Sequence, residues 1–491
     1  MNRRQSTMCL VLMVTVLACA PQGLSLALAG RTDDAEVQRQ ITLLRSDDPA
    51  QRVAAACALN DLGIASQAAI EALMAVMGDD RTVETQGSCS SSFLISGQEW
   101  FLRTSPAREA ADTLAGIGAP AFASLVELLP SSDPVSRRMA ARALGRMEDP
   151  RAVPRLLSLL PDSDPAVRRE AILALGDIQD PAALDPIIER LADPEPGVRK
   201  AAADSLSAFE DPRALKPLMT ALSDTEAGVR ESAAESLGDL GDTGALDALV
   251  ELLGDPHWQV RLAAIDALYE LEDHRAAGPI ARAASDENWK VREAAIEALG
   301  ELDSGQSVKT IIAALGDPQW SVRRAAAEAL GQMEDSRGFE PLMTSLGDEH
   351  WEVRAAAAEA LGEIQNMGAV PALIKSLADA HRNVRTVSAE ALGSLSDPRS
   401  IAPLASALRD PHWEVRVAAA EALDEIAHPD AVAPLMEALS DGHWEVREAA
   451  LDALSELEDP AVAGAVKRLL KDPHPEVRAT AADVLEDLTD E

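Results

Sequence analysis

Residues Asp255 to Asp286 read DPHWQVRLAAIDALYELEDHRAAGPIARAASD, and this stretch decides the fold. Asp255 is placed to cap a helix that begins at Pro256, where a missing N–H would have no partner in any case. The helix is predicted to run to about Leu271. With Val260 at 0° and about 100° per residue, Ala263, Ala264, Ala267, Leu268 and Leu271 share one apolar face. A second, shorter helix is predicted over about Ala276 to Ala284. A pair of this size cannot bury its apolar face alone, so it must stack on copies of itself.

The copies are present. Arg recurs at 137, 168, 199, 230, 261, 292, 323, 354, 385, 416, 447 and 478, a period of 31 without insertion or deletion. Val precedes each Arg from Val167 to Val477, Leu follows seven residues later from Leu144 to Leu485, and Asp stands six residues earlier from Asp162 to Asp472. The reading is an all-α, right-handed α-solenoid of about 14 helix pairs. Its regular array spans residues 133–491. Residues 30–132 are looser, with Asp47 to Gly63 and Ser105 to Gly118 resembling the longer helix on either side of an irregular insert near residues 81–104.

Composition fits this architecture. Apolar residues make up 47% of the 491 positions and aromatic residues only 3%, so the core is built from Ala, Leu, Val and Ile at close range. Lys and Arg number 44 against 82 Asp and Glu, a net charge of -38 that repels phosphate backbones and anionic headgroups. No nucleic-acid partner is expected.

Arg3 and Arg4, the apolar run Met8 to Ala20 and Ala27-Leu28-Ala29 read as a signal peptide over residues 1–29, hence an exported, periplasmic or extracellular protein. Val16-Leu17-Ala18-Cys19 offers the alternative of a lipid anchor at Cys19. No membrane span is expected in the mature chain, which is read as a monomer. Cys57 is either a buried thiol or the partner of Cys89 in a disulfide that fastens the insert.

The units resemble HEAT-like repeats of the phycobilisome-lyase (E/Z) type, as in Asp410-Pro411-His412-Trp413-Glu414-Val415-Arg416 followed by Ala418-Ala419-Ala420-Glu421-Ala422-Leu423. The resemblance implies a hydrogen-bonded ladder between units formed by the Asp and Arg columns: Asp255 and Arg261, Asp286 and Arg292, Asp317 and Arg323, Asp348 and Arg354. It also implies that the longer helices line a concave binding surface.

On that surface two lanes stand out. Trp258, Trp289, Trp320, Trp351, Trp413 and Trp444 keep the period, with Arg382 in the vacant place. Five residues after each ladder Arg comes a carboxylate: Asp266, Glu297, Glu328, Glu359, Glu390, Glu421 and Asp452 among others. Carboxylates beside aromatic faces suit a cationic, extended protein or peptide partner. The alternative for each Trp is that it covers small residues of the adjoining unit, such as Ala358 or Gly362. Arg137, Arg138, Arg142 and Arg146 in the first regular unit imply a groove that is basic at its N-terminal end.

Enzymatic readings find little support. His257, His350, His381, His412, His443 and His474 share a column, but zinc needs ligand nitrogens within roughly 4 Å and stacked helices lie about 8–10 Å apart. Deoxyhypusine hydroxylase, built on similar repeats, binds iron through His-Glu pairs, and no His here is followed by Glu. The expectation is a non-catalytic scaffold with no cofactor and no metal. A lyase- or hydroxylase-like enzyme and a passive acidic envelope spacer are the alternatives.

Overall fold

A computed structural model describes residues 34–63, 65–86, 101–302, 305, 307–457 and 462–487. The described residues form an α-solenoid of 28 α-helices, long and short in alternation. It divides into two compact units, up to Phe209 and from Glu210. The proposed signal segment, the Cys19 anchor, Cys89 and most of the insert lie outside the described residues. The insert is framed by two short antiparallel strands, Val83–Gln86 and Phe101–Thr104. Cys57, on the helix Pro49–Asp61, is disulfide-bonded rather than a free thiol. Among the described residues no helix is long and apolar enough to cross a membrane.

The repeat 255–286 folds as Trp258–Glu270, then a 3-10 turn His274–Ala276 and the short helix Ala277–Ala283. The long helix thus starts two residues later than Asp255 as a cap requires. Asp255 instead closes a turn, its carboxylate accepting the His257 N–H at 2.8 Å, while His257 takes the capping position. In the first unit Asp133 and Asp164 do cap their helices, which begin at Pro134 and Pro165.

Long helices pack directly on long helices, whereas each short helix packs chiefly on the long helix that follows it in the chain. The close approach has a cause in the sequence. A Cβ added to Gly362 would lie 2.9 Å from the Cβ and 3.0 Å from the Cα of Ala391, and one on Gly300 would lie 2.7 Å from Ala329 Cβ. Gly facing Ala lets the long helices nearly touch.

Candidate functional site: the carboxylate face of the long helices

The ladder columns meet across neighbouring units. Arg261 donates from Nε and Nη2 to the Asp286 carboxylate at 2.6 and 2.7 Å, and from Nη1 to the backbone carbonyl of Asp255 at 2.8 Å. Arg292 binds Asp317, Arg323 binds Asp348 and Arg354 binds Asp379 in the same way. Each Arg therefore grips the next unit's Asp side chain and its own unit's Asp carbonyl. Burial opposes charge on Asp348, but hydrogen bonds from Arg323 and the His350 N–H, with the charge of Arg323, hold its pKa below the ordinary value. The pairing is structural, and it ties each of these long helices to the unit that follows.

Four Trp rings are committed to the junctions. Trp351 stacks on His381 at 3.9 Å between ring centroids, Trp413 on His443 at 4.2 Å and Trp444 on His474 at 4.0 Å, while Trp320 and His350 stand 5.7 Å apart. The ring that each of these four Trp residues meets is thus the imidazole thirty residues on. Where no Trp precedes, at His257 and His412, Nδ1 turns to the ladder arginines Arg230 and Arg385 instead. Arg382, in the vacant Trp place, donates to Glu414 at 3.1 Å.

Trp258 and Trp289 differ because Asn288 and Gln319 replace His in the units that follow them. No imidazole covers either ring. The Lys290 ammonium lies 5.0 Å from the Trp258 centroid and 5.7 Å from that of Trp289. Trp289 is the most exposed of the six, at 39%.

The carboxylate lane lies on the long helices. Asp266, Glu297, Glu359, Glu390, Glu421 and Asp452 are exposed and Glu328 half-buried. Water reaches them, yet the helices on either side displace much of their bulk solvent. That desolvation, together with neighbouring like charges, raises the pKa of Asp266, Glu297, Glu390, Glu421 and Asp452. Burial raises Glu328 too, partly offset by Arg324, which donates to it at 3.2 Å. A recess of about 370 Å³ runs over Asp266, Glu297, Glu301 and Glu328 with an alanine floor of Ala294, Ala298, Ala325 and Ala329. A second, of about 480 Å³, contains Glu359, Glu363 and Glu390. Among the described residues no group of three or more His, Cys, Asp or Glu converges as a metal site.

The basic end expected at the first regular unit is neutralised. Arg137 binds Asp162, Arg138 binds Asp80, and Arg142 and Arg146 both bind Asp112. Their partners lie mostly in the irregular N-terminal segment, where the period gives no guide.

Tyr269 joins the site, although the sequence reading passed over it. It stands eight residues after Arg261, in the column that holds Gly at 238, 300, 331, 362 and 393. Facing Ala298, it makes the contact between Trp258–Glu270 and Trp289–Glu301 less extensive than at the Gly238 and Gly300 junctions. A break in the Gly column was the available signal.

Among solved structures the chain is similar to yeast importin-beta (Kap95p), at 15% identity and a TM-score of 0.51 over 92% of this chain and 67% of that one. It is likewise similar to Kap121p bound to Ste12p, at 14% identity and 0.56 over 92% of this chain and 57% of that one, and to Kap95p with RanGDP, at 15% and 0.54 over 92% and 66%. The chain thus spans about two thirds of those proteins or less, and the likeness is one of fold. No curated protein matches it by sequence. The HEAT repeats family matches residues 104–164, 153–238, 215–283, 277–350, 339–416 and 401–486 in overlapping segments. With the ladder, the paired helices and that coverage together, the chain belongs to the HEAT-repeat family.

Proposed function

We propose that this protein is a non-catalytic scaffold whose inner carboxylate face holds a basic, extended segment of a partner protein. The observation that carries the reading is the lane from Asp266 to Asp452, repeated in every unit, water-accessible and only sparsely neutralised. Acids that merely solubilise a surface gain nothing from being gathered where desolvation and mutual repulsion raise their pKa. A cationic ligand relieves that cost, which is the energetic basis for binding. The solved likenesses support a holding role by fold, since Kap121p is described bound to Ste12p and Kap95p with RanGDP. The repeat unit is of the E/Z type within the HEAT repeats. The scaffold acts after export, a reading supported by Arg3, Arg4 and the apolar run Met8 to Ala20.

The test is a pull-down from envelope extract with the purified chain as bait, at low and high salt, read by mass spectrometry. Basic proteins captured at low salt and released at high salt, and lost from the Glu297→Gln, Glu328→Gln, Glu359→Gln, Glu390→Gln variant, are expected. Capture that ignores both salt and the substitutions would refute the acidic face as the binding site.

A further inference from the structure

Besides the ladder, three kinds of contact fasten one repeat to the next. The first is Gly against Ala: a Cβ on Gly238 would lie 2.8 Å from Ala267 Cα, and Gly300, Gly331, Gly362 and Gly393 face Ala329, Ala360, Ala391 and Ala422 as closely. The second lies at the starts of the long helices, where Trp320, Trp351, Trp413 and Trp444 meet the histidines of the units that follow and Arg382 binds Glu414. The third lies in the 3-10 turns. Arg stands there at 151, 213, 275, 337 and 399, that is, in every second unit. Each is held by the Asp two residues earlier, and Arg337 and Arg399 also donate to the carbonyls of Gly305 and Met367 in the preceding unit, at 2.9 and 3.4 Å.

Among the described residues of the unit from Glu210, only the junction between Trp258–Glu270 and Trp289–Glu301 has none of the three. Tyr269 stands in the Gly place, and with Ala298 it lines a recess of about 370 Å³. Asn288 stands in the His place after Trp258 and instead caps its own helix, accepting the Lys290 N–H at 2.9 Å. Gln306 stands in the Arg place of the turn. What crosses at the helix starts is the Lys290 ammonium, 5.0 Å from the Trp258 centroid, an exposed contact that water weakens. We infer that this junction is a hinge. Its pivot is the rung, since Arg261 binds the Asp286 carboxylate at 2.6 and 2.7 Å as elsewhere, and the short helix Ala277–Ala283 packs on Trp289–Glu301. The two long helices shift about that line, while the fastened junctions on either side move as fixed bodies. Asp266 and Glu297 are the lane residues on its two sides, so turning there changes their spacing and leaves the spacing from Glu297 to Asp452 as it is. A solenoid with equal junctions would bend a little at each, whereas this unit bends at one.

The test is a distance distribution across the junction in the full chain, by double electron–electron resonance. Nitroxides are attached through a non-natural ketone side chain, which leaves the native cysteines as they are. One pair replaces Glu251 and Thr344, spanning the junction, and a second pair replaces Ala313 and Ser406, an equal number of repeats apart beyond it. All four positions are exposed on short helices. With neighbouring units about 8–10 Å apart, both pairs fall near 24–30 Å. The first distribution is expected to be broader than the second by at least about 1–2 Å, the size of a helix shift at a packed interface.

Two substitutions restore a missing fastener. Tyr269→Gly rebuilds the Gly column, and Asn288→His gives Trp258 an imidazole to stack on. Each should narrow the first distribution and leave the second unchanged, and the two together should bring the widths level, with circular dichroism showing the helices intact. Equal widths in the unaltered chain would overturn the hinge. So would a first distribution that keeps its width in both variants, because the excess breadth would then arise elsewhere than at this junction.

Discussion

A single rung of the ladder shows how much one residue carries. Arg323 is buried, and its guanidinium spends three nitrogens on Asp348 and on the carbonyls of Asp317 and Pro318. Arg323→Leu leaves Asp348 without its counter-charge, so a loss of about 3 kcal/mol is expected in denaturant unfolding, against under 1 kcal/mol for Arg409→Leu, which breaks an exposed pair with Glu437. The Trp351 and His381 rings supply a second check. A double-mutant cycle to Ala at both should return a coupling of about 0.5–1.5 kcal/mol, and additivity would show that the stacking adds nothing. The Asp and Arg columns were legible because their spacing is invariant. The stacking was not, because a ring thirty residues away meets its Trp only through the offset between adjacent helices.

At the scale of the helix, its end and its contact face are set by different residues. Long helices end on a residue with positive φ that is often not glycine: Glu148, Glu210, Glu272 and Glu334 lie near +50°. Such a conformation costs an L residue roughly 1–2 kcal/mol, so Glu334→Gly should stabilise the chain by about 0.5–1 kcal/mol in thermal unfolding. The reverse holds at the contact face. Gly362→Ala is a helix-favouring change in isolation, yet the new Cβ meets Ala391 backbone at 3.0 Å, and a net loss of about 1–3 kcal/mol is expected. The period made the long helices plain in the sequence but not their first residue. Asp255 suits a cap equally well as a turn two residues ahead, and only packing against the preceding unit's Arg230 chooses the turn.

Over the whole molecule, two sets of carboxylates pull stability in opposite directions with pH. The lane residues have raised pKa values, so ionising them costs folding free energy. As pH falls from 7 toward their ordinary value of about 4.5, the folded state gains protons first and becomes more stable. Ladder aspartates such as Asp348 and Asp379 have lowered values. Their contribution is complete above the ordinary 3.8 and is lost as pH falls through the depressed folded-state value. A stability maximum between these windows is expected.

Binding follows the lane alone, because only ionised carboxylates attract a cationic partner. The measurement that tests the account most directly is therefore a paired one, melting temperature and affinity for a synthetic peptide of Gly, Ser and Lys on the same samples from pH 7 to 4.5. The account predicts that the melting temperature rises while affinity falls. Affinity that holds constant over that range, or that falls only together with the melting temperature, would contradict a function carried by the carboxylate lane.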